Sequence, residues 1–210
     1  MTGTTMVAEH ESTEAEDGKA SGVERAAQEY AAHGWLVLPG STWNGRSQYV
    51  VPGQSKITNG LRPLEPRNYA TCDSRVIAKW FRPASVLPSV LLRTSVDTFV
   101  AVSVEHTLAD KAIQTSVFQA SPGPVAFRPD TGRAYFCTAP AGVLDAMPGS
   151  QVDQMKPGDW IPAPPTHVQG SSVYWWIPPW SVDWSPVNVD VLGKALRLAA
   201  THRAESAGTA

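Results

Sequence analysis

The chain has 210 residues, 42 % apolar and 17 % charged, with a formal net charge of −2. That is enough for one domain with a real core and too few for two large ones. No apolar run reaches the roughly 18–20 residues a spanning helix needs, the first twenty residues lack the basic start and apolar middle of a secretory signal, and the two cysteines, Cys72 and Cys137, stand far apart outside any CxxC pattern. Membrane insertion, a disulfide framework and a structural zinc site are all disfavoured, and a cytoplasmic protein with no membrane partner is expected.

The charge is uneven. Residues 1–20 hold five acids (Glu9, Glu11, Glu14, Glu16, Asp17) and one base, Lys19, so the remainder holds 16 bases and 14 acids. This small, polar, acidic stretch cannot bury enough surface to offset ordering and is expected to be a disordered tail. Residues 46–93 gather Arg46, Lys56, Arg62, Arg67, Arg75, Lys79, Arg82 and Arg93 against Glu65 and Asp73. Such a surface suits an anion, nucleic acid included, or is simply a solvated face.

A single domain is expected over residues 21–200. Ser21-Gly-Val-Glu24 is a capping box, and Val23, Ala26, Ala27, Tyr30 and Ala31 recur at helical spacing until Gly34 stops the helix. Trp35-Leu-Val-Leu38 predicts a buried strand closed by Pro39-Gly40. Residues 40–72 are rich in loop formers, with a short strand at 48–51. Asp73 predicts the N-cap of a helix over 74–81, with Val76, Ile77, Trp80 and Phe81 inward. Strands follow at 89–92 and 98–104, then a helix over 108–118. The pattern next turns to strands at 124–128, 133–138, 159–163 and 172–176, with Asp130-Thr-Gly132 as a tight turn. Ser185-Pro186 predicts the start of a last helix running to about residue 200, and residues 201–210 are expected to be a disordered tail. Early helices, then antiparallel strands, then a closing helix predict an α+β fold with a mixed or antiparallel sheet flanked by helices.

Four segments, in order, resemble the N-terminal prim-pol domain of bifunctional DNA primase/polymerases in the archaeo-eukaryotic primase superfamily. They are the opening helix and strand from Ala27 to Pro39; Gly60-Leu-Arg62-Pro63-Leu64; Ala70-Thr71-Cys72-Asp73 with Ile77 and Trp80; and Asp159-Trp-Ile-Pro-Ala-Pro164-Pro165-Thr166-His167. The resemblance spans residues 23–200 and implies a primase-polymerase-like fold. It also implies nucleotidyl transfer: a 3′ hydroxyl attacks the α-phosphate of a bound nucleotide, and pyrophosphate leaves. Two divalent ions, magnesium or manganese, hold the attacking and leaving oxygens. The family supplies two acids at i and i+2 on a central strand, where both point to one face, a third acid from a later strand, and a histidine for nucleotide phosphate.

Laid on this chain, the resemblance puts the first acid at Ser103 and the second at Glu105, within Phe99-Val-Ala-Val-Ser103-Val-Glu105-His106. The histidine falls near Arg133-Ala134 and the third acid at Asp153. Glu105 and Asp153 are therefore the residual catalytic and metal-ligating residues, while Ser103 replaces a carboxylate with a neutral hydroxyl. Arg133 either holds a phosphate in the histidine's place or repels metals. Asp97 lies at the wrong end of the strand and Asp110 one turn inside the next helix, so neither restores the pair. Arg62 and His167 complete the nucleotide- or nucleic-acid-binding set. His106 is a weaker choice of the same kind.

Tyr174, Trp175, Trp176, Trp180 and Trp184 suit either core packing or base stacking. Alternation puts Tyr174 and Trp176 on one face and Trp175 on the other, and Trp180 and Trp184 are expected to be the exposed members. No Gly-x-Ser-x-Gly elbow surrounds Ser103, and neither a P-loop nor a Gly-x-Gly-x-x-Gly fingerprint occurs. The leading expectation is a stand-alone degenerate primase/polymerase-like domain, catalytically inactive. It needs no cofactor and keeps a weak cleft for nucleotide or single-stranded nucleic acid. Any part in replication would depend on replication or regulatory proteins as partners. The alternatives are an active enzyme with magnesium or manganese on Glu105 and Asp153, and a protein-interaction or regulatory module.

Overall fold

The computed structural model describes residues 21–82, 86–144 and 151–207, with side chains described up to residue 201. The expected N-terminal tail lies outside these residues. Helix α1 (Gly22–Ala32) begins where Ser21 Oγ accepts from the Glu24 amide at 3.0 Å. Gly34, with φ +79°, reverses the chain so that the Trp35 amide returns to the Tyr30 carbonyl, a left-handed position that glycine alone adopts without strain.

Strand β1 (Leu36–Gly40) follows, and then β2 (Thr42–Trp43), β3 (Tyr49–Val50) and β4 (Ile57–Thr58), which form a small antiparallel meander of their own. Only β3 was legible in the sequence, because two-residue strands carry no periodicity. Helix α2 (Ser74–Trp80) is capped as expected by Asp73, whose carboxylate accepts from the Arg75 and Val76 amides.

After β5 (Ser89–Arg93) and β6 (Val100–Glu105), the single helix expected over 108–118 is two, α3 (His106–Ile113) and α4 (Ser116–Gln119). Thr115 makes the break. Its hydroxyl donates to the Ala112 carbonyl at 2.8 Å, ending one helix, and accepts from the Phe118 amide at 3.3 Å, capping the next. The remaining strands are β7 (Val125–Arg128), β8 (Arg133–Thr138), β9 (Val152–Gln154), β10 (Trp160–Ala163), β11 (His167–Val168), β12 (Ser171–Ser172) and β13 (Tyr174–Ile177). Ser185-Pro186 does not open the last helix. Val187 instead bridges Thr138 in parallel, and α5 (Val189–Ala207) starts after Asn188, whose Oδ1 accepts from the Asp190 amide at 2.7 Å. Helix α5 also runs on past residue 200, beyond the expected end.

The fold is α+β. A five-stranded antiparallel sheet has the order β13-β7-β8-β6-β9, and a three-stranded antiparallel sheet the order β1-β5-β10. Two core clusters follow from the pleat. On β6, Val102 and Val104 face a cluster with Leu108, Ala112, Phe118, Leu192 and Leu196 from α3, α4 and α5. Ala101 faces the other way, into a cluster joining α1, α2 and the three-stranded sheet to Ala126, Tyr135 and Cys137 of the larger sheet. A strand buried on both faces is a continuous apolar run, and Phe99 to Val104 is one, broken only by Ser103. Among the described residues no helix is long and apolar enough to cross a membrane.

Candidate functional site

Register places the site. Ser103 on β6 lies opposite Tyr135 on β8 and Asp153 on β9, and Glu105 lies opposite Arg133. Cross-strand partners share a face, so Ser103, Glu105, Arg133, Tyr135 and Asp153 project from the same side of the sheet. The i, i+2 spacing read in the sequence does set Ser103 and Glu105 side by side.

Their chemistry is specific. Arg133 Nε donates to Ser103 Oγ at 2.9 Å, one terminal nitrogen donates to the Ser103 carbonyl at 2.9 Å, and the other to the Gln151 carbonyl at 3.2 Å. The guanidinium thus lies across Ser103, with all three nitrogens engaged. Ser103 is 7 % exposed, while Arg133 and Gln151 are partly buried.

Glu105 serves as the N-cap of α3. One carboxylate oxygen accepts from the Thr107 amide at 3.1 Å and the other from the Leu108 amide at 3.3 Å, while the Thr107 hydroxyl reaches both at 2.7 and 2.8 Å. Partial burial works to raise its pKa, but the Thr107 hydroxyl and the two amides outweigh it and hold the carboxyl below the ordinary range. Asp153 is exposed on edge strand β9.

Beside these residues lies a polar cluster that the sequence did not reveal. Arg128, cross-strand from Arg133, makes a two-pronged pair with Asp130, Nε to Oδ1 at 2.7 Å and a terminal nitrogen to Oδ2 at 2.8 Å. Tyr49 of β3 donates to Asp130 Oδ2 at 3.4 Å, so the small meander is tied to the β7–β8 turn. Burial pushes the phenols of Tyr49 and Tyr135 up. Burial alone would lower Arg128, but its bonds to Asp130 more than reverse that and raise it further. The one signal in the sequence was Arg128-x-Asp130 flanking the Asp-Thr-Gly turn, which carried turn chemistry alone.

The other expected site residues are held elsewhere. The Arg62 backbone is stapled to Ser41, its amide to Ser41 Oγ at 3.0 Å, and its side chain is exposed. His167 sits on β11, exposed, with Nδ1 2.8 Å from Ser172 Oγ. His106 lies against Phe127 and Trp176, at ring-centroid distances of 5.1 and 5.5 Å. Asp97 is in a turn with Ser95, and Asp110 of α3 accepts from the side chain of Gln114, the residue that caps the end of that helix. Among the described residues, no group of three or more His, Cys, Asp or Glu side chains is placed to hold a metal ion.

The tryptophans divide as the alternation implies. Trp176 stacks on Phe127 at 4.5 Å, with Tyr174 also against Phe127, while Trp175 meets Tyr30 and Trp35 on the opposite face. Trp180 is 56 % exposed, as expected. Trp184 is not an exposed member: it stacks on His33 at 3.7 Å and packs edge-on to Trp35.

The chain matches the family described as bifunctional DNA primase/polymerase, N-terminal, over residues 27–188. No curated protein and no solved structure matches it. The chain belongs to the bifunctional DNA primase/polymerase N-terminal family.

Proposed function

We propose that this member of the family is a degenerate primase/polymerase-like domain, without polymerase catalysis, that keeps a weak affinity for nucleotide or single-stranded nucleic acid. The observation that carries this reading is the Arg133 guanidinium bonded to Ser103. Joining nucleotides through two divalent ions requires anionic oxygens that converge on both. At the first position the oxygen is a neutral hydroxyl already taken by a cation. At the second, both oxygens of Glu105 are committed to the α3 cap. Asp153 is the remaining carboxylate on that face. This donor set does not fit a pair of magnesium or manganese ions, and a fixed guanidinium beside it adds repulsion.

The nucleic-acid part rests on family membership and on charge. Arg46, Lys56, Arg62, Arg75, Lys79 and Arg82 are all exposed, while the exposed Arg67 is paired with Asp159 at 3.0 Å, and exposed cations draw phosphate backbones in a salt-dependent way. A role in replication would come through partner proteins, in the cytoplasm.

The alternative is an active nucleotidyltransferase. The register that sets Asp153 opposite Ser103, two positions from Glu105, favours it, because two of three carboxylates stay on one face. Primer extension with manganese and all four deoxynucleoside triphosphates separates the two. No incorporation above background is expected; incorporation that Glu105→Ala abolishes overturns the degenerate reading in favour of the enzyme.

A further inference from the structure

A groove of about 390 Å³ opens between the β2–β3 turn and the β11–β12 hairpin, lined by Trp43, Gly45, His167, Val168, Gly170, Ser171 and Ser172. Its volume falls in the range of small-ligand sites, and its walls differ in kind. One is an indole: Trp43 is partly buried and braced edge-on by Tyr49, ring centroids 5.2 Å apart. The other carries polar groups, the Ser171 hydroxyl and the His167 imidazole, whose Nδ1 is held by Ser172 Oγ at 2.8 Å and whose Nε2 is the nitrogen left for a ligand.

The groove is preformed. Asn44 Oδ1 accepts from the amides of Arg46, Ser47 and Gln48 at 3.0, 3.0 and 3.2 Å, fixing the β2–β3 turn. Gly45 and Gly170 adopt positive φ, and a side chain at either would meet open space, so both leave the groove unobstructed. Arg46, next to Gly45 on the same fixed turn, is exposed.

An aromatic face, hydroxyls and an imidazole are what one nucleotide unit requires: a flat base to stack and an anionic phosphate to receive hydrogen bonds. We propose that this groove binds one nucleotide unit of a single strand, with the base on Trp43 and the phosphate at His167 and Ser171. The groove shares no lining residue with the Ser103–Arg133 position and needs no metal. The inference rests on the nucleic-acid reading above and names where that contact is made.

The test is fluorescence anisotropy of a labelled oligothymidylate at low salt, with Trp43→Ala, Trp43→Phe and Ser171→Glu variants whose folding is checked by thermal unfolding. Trp43→Ala is expected to weaken binding about tenfold, the size of one lost base stack, with Trp43→Phe recovering most of it. Ser171→Glu, at an exposed position, is expected to weaken binding by repelling phosphate without touching the core. Photo-crosslinking of a 5-bromodeoxyuridine strand is expected to label the peptide containing Trp43. Competition by a mononucleotide at similar concentration would show that the free nucleotide is the ligand, overturning the strand assignment. If the wild type binds the oligonucleotide and both Trp43→Ala and Ser171→Glu keep full affinity, the groove assignment falls alone. If the wild type does not bind, the groove assignment falls together with the nucleic-acid reading.

Discussion

Arg133 Nε lies 2.9 Å from Ser103 Oγ, on the strand next to it, and the same guanidinium holds the Ser103 carbonyl at 2.9 Å. On the assignment proposed above, a side chain carrying fixed positive charge thereby sits where metal-dependent nucleotidyl transfer would put an anionic oxygen and its cation.

Restoring a carboxylate by itself will not restore a metal site. Ser103→Asp is expected to form an ion pair with Arg133 and to bind manganese no better than the wild type. Ser103→Asp combined with Arg133→His removes the competing cation and is expected to bind manganese measurably. Loss of the free-ion paramagnetic resonance signal on adding protein reports the difference.

Arg133→Ala removes the guanidinium's bonds to Ser103 Oγ and to the Ser103 and Gln151 carbonyls, the last of which keeps the Glu105 amide as a donor. A hydrogen bond to a charged group contributes about 1.5–3 kcal/mol, and a destabilisation of about that size is expected from urea unfolding.

Glu105 gives a pH dependence of known sign. Its carboxyl is lowered in the folded state despite the opposing effect of burial, because Thr107 and the Leu108 amide bond its charged form. The stabilisation is present above the unfolded-state pKa and is lost as pH falls through the folded one. Glu105→Gln is therefore expected to lower the unfolding midpoint at neutral pH and to flatten the acid limb of the stability profile. Losing such a cap costs about 1 kcal/mol.

The Arg128–Asp130 pair is more deeply placed, with side-chain exposures of 15 % and 9 %. Asp130→Ala strands a buried guanidinium and removes the acceptor of Tyr49, and is expected to cost roughly 3–5 kcal/mol. Arg128→Met with Asp130→Leu removes both charges and is expected to recover most of that loss. Chemical denaturation of the three proteins tests this.

Tyr30 joins α1 to two later segments: its hydroxyl donates to the Pro164 carbonyl at 2.8 Å and accepts from Trp175 Nε1 at 3.0 Å. Tyr30→Phe leaves both groups unpaired in the core, and a loss of about 1–3 kcal/mol in unfolding free energy is expected.

Much of this was legible beforehand where a signal is local. The Ser21 and Asp73 caps, the Gly34 stop, the β8 boundaries and the alternation of Tyr174, Trp175 and Trp176 each follow from a few neighbouring residues. The placing of Ser103 and Glu105 on one face of β6 was legible too, because strand period fixes it. What escaped was either side-chain chemistry that apolar spacing does not register or a contact whose other half lies far along the chain. Thr115 splits a helix by bonding the turns on either side of it, which apolar spacing does not register. The Ser185-Pro186 start failed because Val187 pairs with β8, and Trp184 turned inward because His33 and Trp35 offer it a surface.

The α+β class and the family were set by the order of residues, since hydrophobic period, capping residues and motif order are all written along the chain. Folding in three dimensions was needed to lay Arg133 on Ser103, 30 positions away, and to bring Tyr49 to Asp130 across 81 positions of sequence. The reason is physical: a side chain's hydrogen-bond partners are set by strand register and by which faces meet, and no stretch of chain contains both halves of such a contact.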